Sequence, residues 1–133
     1  MRFGIANVVE VDALWPRLAS RFQHACKRCG DLSAGDLWTM ARSGHAFLIL
    51  GFEKQEIRFA SIWRFHDKDG KPVFRCEMMF GDGMRDWLPD AYAWIANLAK
   101  ENGAGRLVAE GRRGWLRLFD GVVKNGPDYE VEI

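Results

Sequence analysis

The middle of the chain alternates apolar and polar residues with a period of two, which is the pattern of β-strands. Two segments show it, HAFLILGFE and QEIRFASIWRFHD, and after the turn residues DKDGKP a third follows as PVFRCEMMF. In the second segment, alternation predicts one shared face for five residues: Ile57, Phe59, Ser61, Trp63 and Phe65. Three such strands in succession predict an antiparallel meander at the centre of the fold.

Before this block, the period changes to that of an amphipathic helix. Residues 3–9, FGIANVV, predict a short strand. The helix after it is expected to have Asp12 as its N-cap and Pro16 in its early turns, and to end at Gly30. Its polar face carries a basic stripe, which is either a solvated surface or a contact for an anionic partner: Arg17, Arg21, His24 and Arg28.

Two more helices flank the meander. The first is predicted from Ser33, with Asp36 three residues later as a capping box, to a stop at Gly44. The second follows FGDGMRDW and ends at Asn102 and Gly103. Its apolar positions form one unbroken stripe: Leu88, Ala91, Tyr92, Ile95, Leu98 and Ala99.

The C-terminal part adds a strand, RLVAE, a helix and a last strand, DYEVEI, after an Asn125–Gly126 turn. The helix is predicted from the i, i+3, i+4 spacing of Trp115, Leu118 and Phe119. A right-handed crossover between two parallel neighbouring strands is predicted from the strand–helix–strand unit that runs from PVFRCEMMF to RLVAE. The chain is therefore expected to be a single α/β (α+β) domain over residues 1–133, with a mixed sheet covered by helices on both faces.

Charge argues against two classes of partner. The chain has 19 basic and 18 acidic residues, so no overall field favours nucleic acid or a membrane. Arg58 and Arg64 alternate with aromatic residues, as in β-sheets that bind single-stranded nucleic acid. A strand with one buried face explains the same alternation without nucleic acid. Glu10 and Asp12 interrupt the apolar N-terminal residues where a signal peptide would continue, so the cytoplasm is the expected location.

The three cysteines are Cys26, Cys29 and Cys76. The Cys26–Cys29 spacing suggests redox or metal chemistry, but both residues fall on the apolar stripe of the first helix. A zinc site also needs four ligands, and the sequence contains no second close pair. Core cysteines and no metal are therefore expected.

The order of these elements resembles the fold of the GCN5-related N-acetyltransferases (GNAT). Over residues 86–121, an amphipathic helix, a short strand and the sequence GRRGWLRL resemble the small GNAT-like proteins encoded by tailed phages and prophages. The sequences LWPRL in the first helix and DLWTMARSG before the second strand are similar too. The resemblance spans most of the chain.

This resemblance implies two alternatives. One is an N-acyltransferase that uses acetyl-CoA and an unknown amine acceptor. The other is a protein that keeps the fold without the reaction, as a phage structural or internal virion component or as a partner of other phage or host proteins. In the second case the virion is an expected location beside the host cytoplasm. Function is decided by the site and not by the fold.

The resemblance assigns coenzyme binding to the turn after the third meander strand, where backbone N–H groups at a helix N-terminus grip the pyrophosphate. Here the turn reads Gly81-Asp82-Gly83-Met84-Arg85-Asp86. Gly81 and Gly83 allow close approach of the backbone, Met84 belongs to the same candidate site and Arg85 supplies charge, whereas the two aspartates would repel a phosphate. An ordinary strand-to-helix turn is the alternative interpretation.

Glu77 is the residue to which the resemblance assigns the role of base, on a strand face predicted to be shared with Val73, Arg75 and Met79. The alternative is an ion pair with Arg75 or with an arginine of a neighbouring strand. The general acid of the fold is a tyrosine on the last helix, and that helix has Trp115 and Phe119 instead. The chain's two tyrosines are elsewhere, one on the core stripe and one in the terminal strand: Tyr92 and Tyr129.

Arg112 and Arg113 stand before the last predicted helix, where the helix dipole disfavours cations. They follow the carboxyl end of RLVAE, the edge at which open sheets bind ligands. A bound anion or a partner would relieve this conflict, and so would a carboxylate such as Glu110, Asp82 or Asp86. Both arginines are therefore candidate anion or partner contacts.

Overall fold

The elements follow one another in the predicted order in the computed structural model, which describes residues 1–29, 31–110 and 121–133. Gly30 and the predicted last helix, with Arg112 and Arg113, lie outside these residues. Within them the chain forms β1 (Arg2–Ile5), α1 (Val8–Cys29), α2 (Ala34–Arg42), β2 (Phe47–Glu53), β3 (Glu56–Lys68), β4 (Lys71–Gly81), α3 (Met84–Glu101), β5 (Arg106–Glu110), β6 (Val123–Asn125) and β7 (Asp128–Glu132).

The strands form one mixed sheet in the order β1-β2-β3-β4-β5-β7-β6. Strands β1 to β4 pair antiparallel, which confirms the meander. Strand β5 is parallel to β4 and is reached through α3, which confirms the crossover. The C-terminal hairpin places β7, not β6, beside β5, and both of its pairings are antiparallel.

Helices cover both faces of the sheet, as predicted. On one face α1 and α2 pack in a cluster that we call the α1–α2 cluster, which includes Leu18, Phe22, Leu37, Leu48, Ile62 and Met78. On the other face α3 packs in the α3 cluster, which includes Ile49, Phe59, Trp63, Phe74, Trp87 and Ile95. Burial of these side chains supplies most of the drive to fold.

Two β-bulges change which face a residue occupies. Arg58 is an extra residue of β3, because Phe59 pairs with Gly51 and Ile57 pairs with Phe52. The prediction that Ile57 shares a face with Phe59 is therefore wrong, and Ile57 packs against the α1–α2 cluster instead. Each bulge inserts one residue, so the alternation of side chains shifts by one.

The second bulge is in β4, where Met78 pairs with Ile62 and Cys76 pairs with Trp63, so that Glu77 is the extra residue. Beyond it Met78 packs in the α1–α2 cluster and Met79 packs against the α3 cluster. The predicted face shared by Glu77 and Met79 is therefore wrong.

Helix α1 begins earlier than predicted. Asn7 is its cap: the Asn7 Oδ1 accepts a hydrogen bond from the Glu10 N–H at 2.9 Å, and a Glu10 carboxylate oxygen accepts one from the Asn7 N–H. The first strand accordingly ends at Ile5, and Pro16 lies within the helix beyond its first turns. Asp12 instead accepts hydrogen bonds from Trp38 and Arg42 of α2, so it ties the two helices together.

The capping box of α2 is confirmed, with Ser33 and Asp36 bonded reciprocally. The apolar stripe of α3 is confirmed as well. Cys26 and Cys76 are buried in the two clusters, as expected of core cysteines.

Candidate functional site

The sheet opens between β4 and β5, its two parallel neighbours. Their pairing begins at Phe74–Leu107 and ends at Cys76–Ala109. Strand β4 continues to Gly81, so within the described residues its last part has no partner strand on the β5 side. The β4 bulge at Glu77 comes directly after the last pair and bends the strand there. Within the described residues, the backbone polar groups of β4 beyond Cys76 therefore have no strand partner on the β5 side.

Glu77 lies at this opening. Its side chain is only 13% exposed, and its carboxylate accepts a hydrogen bond from Arg64 of β3. Arg64 follows Ile62 by two residues on β3, so this ion pair lies on the face of the sheet that α1 and α2 cover further along. Of the two predicted partners for Glu77, the one observed is the arginine of the neighbouring strand. Arg75 turns instead to His66 and Asp128.

Gly81 ends β4 at a position where no side chain fits. A Cβ there would lie 2.4 Å from the ring of Trp87 and 2.9 Å from the Cβ of Phe59, and both residues are buried. The Trp87 indole N–H also donates to the Asp82 carbonyl at 2.6 Å. This packing fixes the direction in which the chain leaves the sheet and enters α3.

The N-terminus of α3 is not capped by a side chain. Its N-cap is Gly83, in the left-handed conformation with φ of 65°, and the helix continues with Met84 and Arg85. Arg58 of β3 lies against it, since a Cβ on Gly83 would be 2.8 Å from its guanidinium. The Arg58 Nε is buried without a hydrogen-bond partner, and its nearest carboxylate, Glu53, is 3.9 Å away. A helix N-terminus with a cation beside it favours an anion.

The aspartates of this turn differ in their surroundings. Asp82 accepts two hydrogen bonds from the Arg21 guanidinium, at 2.9 and 3.2 Å, and Arg21 also covers the ring of Phe80. Arg21 therefore offsets the Asp82 charge. Asp86 stands in the first turn of α3, where its carboxylate competes with an external anion for the helix dipole.

A pocket with an almost entirely apolar wall lies beside the opening, between α3 and strands β4, β5 and β7. Its lining includes Trp63, Met79, Tyr92, Ile95 and Tyr129. The sequence placed the two tyrosines in separate elements, and the structure brings them to the same pocket. The raised pKa of Tyr92, due to burial, keeps its hydroxyl protonated.

Comparison with solved structures identifies the architecture. A protein described as a probable acetyltransferase matches with a TM-score of 0.65 at 16% identity, over 85% of this chain and 80% of its own. The ribosomal-protein-alanine N-acetyltransferase of Brucella melitensis biovar Abortus 2308 matches with a TM-score of 0.61 at 12% identity, over 85% and 82%. An aminoglycoside acetyltransferase from an uncultured soil metagenomic sample matches with 0.59 at 9% identity, over 84% and 78%.

The fold is that of the GNAT acetyltransferases. No family model matches the sequence, and a search of curated proteins finds no match. Within the GNAT fold, Glu77 lies on the strand and Gly81 to Arg85 form the turn to which the sequence resemblance assigned base and coenzyme site. Arg112 and Arg113 lie outside the described residues.

A charged network that sequence reasoning missed joins four strands of the GNAT sheet. Lys68 of β3 lies 2.7 Å from Asp128 and 2.8 Å from Glu130 of β7, and Arg75 of β4 lies 2.8 Å from Asp128. Arg106 of β5 adds a weaker contact to Glu130 at 3.4 Å. Its members are distant in sequence, so no local signal could have shown the network.

Burial alone would raise the pKa of Asp128, but its hydrogen bonds to Lys68 and Arg75 and their charges outweigh burial, and the pKa lies below its ordinary value. The pKa of Glu130 is likewise lowered, because Lys68, Asn125 and Arg106 outweigh the effect of burial. Both side chains therefore remain carboxylates at neutral pH.

Two further findings concern metal binding and membrane-spanning helices. Across the described residues, no three His, Cys, Asp or Glu side chains gather as a metal-binding group. No helix in that part of the chain has the length and apolar character needed to cross a bilayer.

Proposed function

We propose that this protein is an N-acyltransferase that moves an acyl group from acyl-CoA to an amine. The observation that carries the proposal is the opening between β4 and β5, with the Glu77 bulge directly after the last pair. An extended ligand with amide groups, such as the pantetheine arm of coenzyme A, would pair with the exposed edge of β4 as an added strand does.

The turn after β4 would hold the pyrophosphate. Gly83 and Met84 present the uncapped N-terminus of α3, Arg85 adds an exposed cation, and Arg58 lies beside Gly83 with a buried Nε that lacks a hydrogen-bond partner. Gly81 contributes by letting Trp87 pack under the turn. These residues fit an anionic ligand; the Asp86 carboxylate opposes it, and Arg21 offsets the charge of the second carboxylate of the turn, Asp82.

Glu77 would act as the general base. Its carboxylate takes a proton from the acceptor amine as the amine nitrogen attacks the thioester carbonyl, and the C–N bond forms while the C–S bond breaks. Arg64 orients the carboxylate through their hydrogen bond. Because the side chain is largely buried, Arg64 also offsets the cost of keeping a charge there.

Transfer from acetyl-CoA, followed by mass spectrometry of the acceptor, tests this proposal. The first acceptors are a peptide with an N-terminal alanine, an aminoglycoside and a lysine peptide; the first two are the classes named for two of the similar structures. Glu77→Gln is expected to keep acetyl-CoA binding and to lose transfer about 100-fold or more. Glu101→Gln, at the far end of α3, is the matched control.

Two results would count against it. Loss of acetyl-CoA binding in Glu77→Gln would make the Glu77–Arg64 pair structural. Absence of both binding and transfer in the unsubstituted protein would refute the enzymatic proposal and leave a GNAT fold with another role, such as binding a phage or host protein. Arg112 and Arg113 stay predicted anion or partner contacts.

A further inference from the structure

The apolar pocket between α3 and strands β4, β5 and β7 begins at the opening of the sheet. Met79, on the part of β4 beyond the last pair with β5, and Ala109, the β5 residue of that pair, both line it. The lining continues to Leu107, two residues before Ala109 on β5, and to its partner Val131 on β7. Two residues of a strand span about 7 Å, so the pocket extends about that far into the fold from the opening.

The wall of this pocket suits a hydrocarbon group. Helix α3 contributes Ala91 and Ile95, both fully buried, and the wall as a whole is almost entirely apolar. Glu130 is the one charged residue among the described residues of the lining, and its carboxylate is bound by Lys68 and Arg106. An apolar group gains free energy by leaving water for such a wall, whereas a polar group would lose its hydrogen bonds to water there.

The size of the pocket sets the length of the chain that fills it. Its volume is about 50 Å³. A water-sized group needs about 10–15 Å³ of such volume, and a methylene is similar in size, so the pocket has room for about three to five carbons. An acetyl methyl would fill only one of these positions and leave the rest of the pocket empty.

The position of the pocket favours the donor over the acceptor as its occupant. Glu77 pairs with Arg64 on the α1–α2 face of the sheet, whereas the pocket lies on the α3 face. An amine that gives its proton to Glu77 therefore approaches from the α1–α2 side. The α3 side is left for the acyl group of a thioester whose carbonyl carbon lies in the opening.

We propose, on the basis of the function proposed above, that the donor is a CoA thioester of a short fatty acyl chain, about four to six carbons long including the carbonyl carbon. The apolar pocket holds this chain, and its closed end at Leu107 and Val131 limits the length. Butyryl-CoA and hexanoyl-CoA are then better ligands than acetyl-CoA, and decanoyl-CoA exceeds the pocket.

The test is calorimetry with acetyl-, butyryl-, hexanoyl- and decanoyl-CoA, which needs no knowledge of the amine. Each methylene that enters the pocket should tighten binding about fourfold, so the Kd of butyryl-CoA should be about 15-fold below that of acetyl-CoA. The gain should end by hexanoyl-CoA. A Kd for butyryl-CoA within threefold of that for acetyl-CoA, or tightening that continues to decanoyl-CoA, would overturn the assignment.

Substitutions at the closed end of the pocket separate the chain site from general attraction to a fatty acyl group. Leu107→Phe should keep the Kd for acetyl-CoA within about threefold and remove the advantage of hexanoyl-CoA, while Leu107→Ala should shift the tightest donor to a longer chain. Leu98→Phe is the matched control, because Leu98 packs against the same α3 cluster and does not line the pocket. Melting temperatures report whether each variant folds. If Leu107→Phe does not fold, an unchanged chain-length order in Leu107→Ala overturns the assignment.

The same measurements separate this inference from the proposed function. Binding and transfer from acetyl-CoA with no gain for longer chains would overturn the chain site alone. Absence of binding by all four thioesters would overturn the proposed function and the chain site together.

Discussion

Gly81→Ala is the substitution that most sharply tests how the turn after β4 is built. The added Cβ would lie 2.4 Å from the Trp87 ring, 2.9 Å from the Cβ of Phe59 and 3.0 Å from the Arg58 carbonyl oxygen. The last two atoms cannot move without moving the backbone of β3. Trp87 is 2% exposed and stacks on Phe59, so its ring has no free space to enter.

The cost follows from these contacts. Overpacking in a filled core costs about 1–3 kcal/mol, and displacing Trp87 from the Asp82 carbonyl adds about 1 kcal/mol, for a total of about 2–4 kcal/mol. For a chain of this size, about 3–4 °C of melting temperature corresponds to each kcal/mol, so a fall of about 6–16 °C is expected. The turn also shifts, and acetyl-CoA binding should weaken by more than tenfold.

Thermal unfolding followed by circular dichroism measures the stability, and calorimetry measures the affinity. Gly105→Ala is the matched control, because a Cβ there meets nothing within 4 Å. We expect that control to melt within about 2 °C of the unsubstituted protein. If Gly81→Ala melts with the control and binds acetyl-CoA normally, the packing of Trp87 under the turn does not determine the site.

Three further predictions concern groups around the sheet. Asp128→Asn should cost about 3 kcal/mol at pH 7 in urea unfolding, because it leaves the half-buried Arg75 without its carboxylate and Lys68 with Glu130 alone. The unsubstituted protein should lose stability as the pH falls below the ordinary carboxyl value of 3.8, since the folded Asp128 has the lower pKa, and this loss should be smaller in the variant. Asn7→Ala should lower stability by about 1 kcal/mol in thermal melts by removing the α1 cap. Arg21→Gln should weaken acetyl-CoA binding severalfold in calorimetry by exposing the Asp82 charge, and adding Asp82→Asn should restore it.

Within the described residues, periodicity was sufficient to predict strands β1 to β5 and β7, the three helices and their order, because each of these elements buries an apolar face. It failed where a residue is inserted. The bulges at Arg58 and Glu77 are visible only in the register between neighbouring strands, and each reverses the faces assigned beyond it. The start of α1 was predicted wrongly although its signal, Asn7 followed by Glu10, is present in the sequence.

In the candidate site, too, residues close together in the sequence could be predicted, whereas contacts between residues far apart in the sequence could not. Glu77 and the turn from Gly81 to Arg85 are contiguous, so a resemblance could single them out. The position of Tyr129 in the apolar pocket could not be predicted from the sequence, because Tyr129 reaches the pocket only when β7 pairs with β5. The sequence offered Arg75 or an arginine of a neighbouring strand as the ion-pair partner of Glu77, and only the observed hydrogen bond identifies that partner as Arg64.

The melting temperature in the presence of acetyl-CoA tests the central claim most directly. With a Kd of about 10 μM, 1 mM acetyl-CoA should stabilise the folded protein by about 2.7 kcal/mol, which corresponds to about 8–11 °C. Arg58→Gln should reduce this shift, because Arg58 lies against Gly83 at the α3 N-terminus. An unchanged melting temperature at millimolar acetyl-CoA would contradict the claim that the opening beside Glu77 and the turn after β4 bind the coenzyme.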